Sequence, residues 1–159
     1  MTASLFKGAA VAAAALVLPI GMAQPASAEI SANRCASEQR KELTAWGLSP
    51  NVFVYVCVQR DHTGPYRANV EFNWGQAGDN DYHYVQLHSR LEKYDVVQKG
   101  AVCDITSHIN SAVNGSRLCQ TVWTPGTPGQ MTADFTVVYD VVNDGMGEYR
   151  LDFTGSPAI

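Results

Sequence analysis

Beyond Met22 the sequence contains no apolar run that could form a bilayer-crossing helix, which needs ~20 residues, so no membrane span is read in it. It also lacks basic excess. Lys and Arg number 11 against 15 Asp and Glu, for a net charge of −4. Nucleic-acid binding depends on neutralising phosphates, so that function class is excluded. No Cys-x-x-Cys pair occurs, which removes the usual zinc and thiol-redox spacings. Neither a Gly-x-Ser-x-Gly elbow nor a His-Glu-x-x-His helix is present, so the commonest serine-hydrolase and metalloprotease signatures are absent.

What is present begins with a processing signal. Lys7 precedes a mostly apolar run from Ala9 to Met22, and Ala26-Ser27-Ala28 offers the small residues a signal peptidase requires. Residues 1–28 are read as a signal peptide and residues 29–159 as one secreted, extracellular domain. All four cysteines, Cys35, Cys57, Cys103 and Cys119, fall in that domain. An even count in an exported chain reads as disulfides, with three connectivities open. Pairing neighbours would close loops of about 22 and 16 residues, each contributing roughly 3 kcal/mol by restricting the unfolded chain.

Alternation of apolar and polar residues dominates the rest. Val52, Val54, Val56 and Val58 share one face of a strand, and Phe53, Tyr55 and Cys57 the other. A short N-terminal helix over Cys35–Gly47, with Leu43 and Trp46 three apart, is expected to cover that second face. Tyr66 to Trp74 alternates cleanly and completes a hairpin. In the third strand Val85, Leu87 and Leu91 point inward, while Tyr84, Gln86, His88 and Arg90 point outward. Tyr94 to Gln98 continues as a fourth strand, with Gly100 as a break. Between Cys103 and Cys119, Ile105, Ile109 and Val113 have helical spacing with Asn114-Gly115 as a stop, yet both ends read as strands; a cross-linked strand pair with a long connection is favoured. Phe135 to Val141 and Tyr149 to Phe153 flank an Asp144-Gly145 turn. The pattern predicts an all-β, disulfide-braced β-sandwich, immunoglobulin-like in general shape.

Several segments carry a resemblance. Arg90-Leu91-Glu92-Lys93-Tyr94-Asp95, Cys103-Asp104-Ile105-Thr106, Thr132-Ala133-Asp134, Val138-Tyr139-Asp140 through Asn143-Asp144-Gly145, and Thr154-Gly155-Ser156-Pro157 resemble a group of small secreted proteins of actinomycetes. That group has no assigned activity. The likeness implies secretion and a common fold, and it carries over no catalytic residue.

Residues able to do chemistry are scattered. His62 sits in a turn, His83 and His88 face opposite sides of one strand, and His108 lies in the second cystine loop. Asp79 and Asp81 in one loop, and Asp140, Asn143, Asp144 and Glu148 around the last turn, have the oxygen ligands of a calcium site without EF-hand spacing. No catalytic, cofactor-binding or metal residue is assigned, and no cofactor is expected. Trp74, Tyr82, Tyr84 and His88 form a candidate binding patch, since an exposed aromatic row can stack on sugars or anchor a protein. The expected function is a secreted non-enzymatic domain that binds an extracellular protein partner, a polymer or the cell surface. A protease inhibitor acting through the Cys103–Cys119 loop is one form of it. A small secreted hydrolase using His88 or His108 with a nearby carboxylate, and a structural envelope component, are the alternatives.

Overall fold

The computed structural model describes residues 30–44, 49–77 and 81–159. The expected leader with Lys7 and Ala26-Ser27-Ala28, and also Trp46, Gly47 and Asp79, lie outside the described residues. In chain order the elements are β1 (Ile30–Cys35), β2 (Gln39–Glu42), β3 (Asn51–Asp61), β4 (Tyr66–Gly75), β5 (Tyr82–Lys93), β6 (Val96–Asp104), α1 (Thr106–Ser111), β7 (Gly115–Gln120), β8 (Met131–Val141) and β9 (Glu148–Phe153). They form two antiparallel sheets. One has the order β1-β3-β4-β7, with β2 also paired to β3; the other runs β6-β5-β8-β9.

The sheets face each other because the period-2 alternation gives each an apolar side. Val52, Val54, Val56 and Val58 of β3 and Ala68, Val70 and Phe72 of β4 are fully buried against Val85, Leu87 and Leu91 of β5 and Phe135, Val137 and Tyr139 of β8. This is the expected all-β sandwich, immunoglobulin-like in general shape and braced by two disulfides. No helix among the described residues is long and apolar enough to cross a membrane.

Both cystines join neighbours in sequence, Cys35 with Cys57 and Cys103 with Cys119. Their roles differ. Cys35 and Cys57 stand directly opposite each other in the β1–β3 ladder. Cys103 lies on β6 and Cys119 on β7, so this bond ties one sheet to the other. The opposite seam is held without covalent help. The Gln39 amide donates to Thr154 O at 2.8 Å and accepts from Thr154 N at 2.7 Å, while Lys41 Nζ donates to Asp152 O.

Three expectations are corrected. Residues 35–44 form no helix; the short helix is α1, and β1 and β2 pair with the edge of β3 instead. Two apolar points three apart were a weak helical signal, and an open strand edge offers a full ladder of hydrogen bonds. Phe53 and Tyr55 are covered by polar side chains: the Arg40 guanidinium lies 5.4 Å from the Phe53 ring centre, and Tyr55 donates to Glu38. Gly100 does not break a strand but sits inside β6 opposite Arg90, and Tyr94-Asp95 is the turn before it. The Cys103–Cys119 segment combines both readings, with strands at its ends and α1 between them. Gly115 is no helix stop, since it opens β7 under Trp74, where a Cβ would come 2.1 Å from the indole.

Candidate functional site

The outer face of the β6-β5-β8-β9 sheet gathers Tyr84, His88, Asp140 and Glu148 of the residues singled out in the sequence. Strand pairing lays the face out in rows: Tyr84, Asp140 and Glu148; Asp104, Gln86, Val138 and Arg150; Val102, His88, Thr136 and Asp152; then Gly100, Arg90 and Asp134. Thr136 is buried at the centre although it points away from the core. Arg90 Nη1 donates to its hydroxyl at 3.0 Å and Arg150 Nη2 at 3.3 Å, while the hydroxyl donates to Asp152 at 2.8 Å. Arg90 also pairs with Asp134 and, at 3.3 Å, with Glu92. The Arg150 guanidinium and the Thr136 hydroxyl hold the Asp152 carboxyl below its usual range. Tyr84 donates to Glu148 at 2.8 Å, and that bond pushes its phenol up to about 12. Arg90, Arg150, Asp134, Asp152 and Glu148 are each engaged by a partner on this face, which stiffens the platform.

Burial, and after it the charges of Arg90 and Arg150, hold the His88 imidazole below its usual value; Glu148 opposes them weakly. The unfolded chain therefore binds a proton at His88 more readily than the folded one. Acidification below about 6.5 should cost stability at this site until the folded imidazole also protonates. In His88→Gln, the unfolding free energy measured between pH 7 and 5 is expected to fall less steeply than in the wild type. Identical slopes would show that His88 is not the group responsible.

The platform ends in an unusual hairpin. β5 and β6 are joined by Tyr94 and Asp95 alone, both left-handed, with φ of 52° and 61°. A two-residue turn whose twist matches its strands demands φ > 0 at both positions, which Asn-Gly supplies cheaply. A tyrosine and an aspartate there cost of order 1 kcal/mol or more each. Tyr94 is nevertheless 68% exposed, and Val96 and Val97 beside it are 61% and 51% exposed. The first half of β6, Val96 to Gly100, is exposed along its whole length. A bulge at Gln98, where Leu91 faces Lys99 and Glu92 faces Val97, bends the tip.

Beside the tip is a cavity of about 360 Å³ lined by Glu92, Asp95, Thr132, Ala133, Asp134, Gly155 and Ser156. Its floor is fixed by Ser156, whose backbone N donates to Ala133 O at 2.8 Å and whose Oγ accepts from Ala133 N at 2.9 Å. Gly155 has no room for a side chain, since a Cβ would come 2.7 Å from Ala133 O. Three of the resemblance segments, Arg90–Asp95, Thr132–Asp134 and Thr154–Pro157, therefore converge at one place.

The expected patch does not assemble. Trp74 is 4% exposed and faces the core, where its Nε1 donates to Ala112 O at 3.0 Å. Tyr82 is 3% exposed. A bulge between Tyr82 and Tyr84 reverses the alternation and turns Tyr82 inward against Tyr139. Tyr84 and His88 do share the outer face. His83, shifted by the same bulge, lines a cavity of about 400 Å³ with Asp140, Val141, Asn143, Asp144, Gly145 and Gly147. His88 Nε2 lies 3.4 Å from Gln86, and His108 Nδ1 is buried without a partner among the described residues. The His–carboxylate contact there is that of His62 with Asp61, at 3.2 Å. No group of three or more His, Cys, Asp or Glu among the described residues is placed to hold a metal ion. The middle of the Cys103–Cys119 loop folds inward, with Ile105 and Ile109 buried and Asn110 bonded to the Tyr82 backbone, while its exposed residues Ser116, Arg117 and Leu118 are held in the edge strand β7.

Sequence reasoning missed Tyr94, Val96 and Val97, which it placed in a continuous strand. The available signal was the charged pair Glu92-Lys93 interrupting the alternation just before them. No known protein family, curated protein or solved structure matches the chain.

Proposed function

We propose that this chain is an exported, non-enzymatic recognition domain that docks an extracellular protein through the β5–β6 hairpin tip. The observation that carries the reading is the exposed Tyr94, held in a backbone conformation that tyrosine disfavours. Strain of this kind persists where presentation of the side chain compensates for it, and tyrosine is a common anchor of protein interfaces. Val96 and Val97 extend the apolar contact, and Glu92, Asp95 and Asp134 add a polar, acidic rim. The two cystines support export, because such bonds persist in oxidising compartments. The N-terminal signal pattern supports it independently.

The double substitution Tyr94→Asn/Asp95→Gly separates stability from function. It should stabilise the fold by about 1 kcal/mol, by supplying the residues the turn prefers. It should also weaken retention of a partner at least tenfold when immobilised protein is exposed to the medium and washed envelopes of the producing cells. Equal retention by both forms would sink the reading. Retention of a polysaccharide instead of a protein would transfer it to the polymer class, and quantitative recovery of the native chain in the envelope fraction would favour the structural role.

A further inference from the structure

At the opposite end of the sandwich from α1, the turn joining β3 to β4 and the segment after β7 border a third, open cavity, of about 400 Å³. Arg60, Thr63, Gly64, Pro65, Tyr66, Pro125, Gly126 and Pro128 line it. Two observations set it apart. Arg60 Nε and Tyr66 Oη are both buried, and neither has a hydrogen-bond partner among the described residues. Both belong to the same cavity lining, on residues paired across the β3–β4 ladder, with the Arg60 guanidinium 5.7 Å from the Tyr66 ring centre. Leaving such groups unpaired is unfavourable, so an acceptor is called for.

We infer that this cavity is a binding site for a small organic carboxylate with an apolar body. Arg60 Nε is a donor only, and the Tyr66 hydroxyl can also donate, so the complement is an oxygen acceptor carrying negative charge. Three prolines, two glycines and the tyrosine ring form the remaining wall, which suits a flat or branched apolar group and not a phosphate, whose three oxygens need more donors than these. The neighbouring negative charge does not compete. Asp61 accepts from Thr63 N at 2.7 Å and Thr63 Oγ1 at 2.6 Å and contacts His62, outside the lining. The volume far exceeds that of one water, ~30 Å³, and falls in the range of small-ligand sites.

The walls are built in advance. Asp61 N donates to Pro65 O and Gly64 N to Asp61 O, closing the turn. Tyr66 and Thr124 exchange two backbone bonds of 2.8 Å, and Gly129 N donates to Ile159 O at 2.7 Å, which pins the other rim. Gly126 leaves the space open, because a Cβ would come 2.6 Å from the Tyr66 ring and 2.9 Å from Met131.

Two sources carry this chemistry, a free acid and the terminal carboxylate of a polypeptide. The test is titration of the purified, oxidised, isotope-labelled protein, followed by amide NMR, with phenylacetate, its neutral analogue phenylacetamide, and acetyl-Ala-Phe bearing a free carboxylate. Saturable shifts confined to residues 60–66 and 124–130 are expected with the acids, with the amide about tenfold weaker. Tighter binding of phenylacetate or of the peptide identifies the source. Arg60→Gln and Tyr66→Phe should each weaken binding about tenfold. Tyr66→Phe should melt no lower than the wild type, since the hydroxyl it removes has no partner among the described residues; a purely structural tyrosine would show a clear fall. No saturation by either acid at about 10 mM, or equal binding of acid and amide, overturns the inference.

Discussion

Replacing Cys103 and Cys119 together with alanine is expected to lower the unfolding free energy by about 3 kcal/mol and the melting temperature by roughly 10 °C. The bond closes a 16-residue loop, and its loss returns that much conformational freedom to the unfolded chain. The effect in the folded state is local. β6 and β7 are edge strands of different sheets, so this cystine is what ties the two layers along that seam. Alanine rather than serine is the right substitution at Cys119, which is fully buried and would leave a hydroxyl unsatisfied. Calorimetry of the oxidised double variant reads the result. A loss below about 1 kcal/mol would mean that the seam is held by packing alone.

Phe135→Ala should be as damaging without touching a covalent bond. Phe135 is fully buried on β8, with its ring centre 6.3 Å from Phe72 of the other sheet and 5.4 Å from Phe153 of its own. Removing a ring from such a place costs roughly 3–5 kcal/mol, part from lost transfer and part from the void left behind. Chemical denaturation against Leu118→Ala provides the control, since Leu118 is exposed and its truncation should stay within about 0.5 kcal/mol. Equal effects for the two would contradict the layered core.

The fold was legible because alternation is a robust signal wherever a strand is wet on one side. Tyr66 to Trp74 and Phe135 to Val141 could be assigned, with facing, from spacing alone. It failed where the period slips. The bulge at His83 reverses Tyr82, and the bulge at Gln98 hides the turn at Tyr94 and Asp95. A sequence does not announce an added residue in a ladder, because the decision rests with the partner strand. The N-terminal segment failed for another reason. Its strands exist because β3 has a free edge, a tertiary fact invisible in Gln39-Arg40-Lys41-Glu42. Of the candidate site, the acidic residues were noticed only in part, and Glu92, Asp95 and Asp134 met because three distant segments fold onto one corner.

The indole of Trp74 resting on the bare backbone of Gly115 makes these two positions a single steric unit although forty residues lie between them. Either both persist through divergence, or a smaller ring must appear before any side chain can be tolerated opposite. Chains sharing this architecture could therefore be recognised by that coupled large–small pair even after the rest of their surface has drifted beyond alignment.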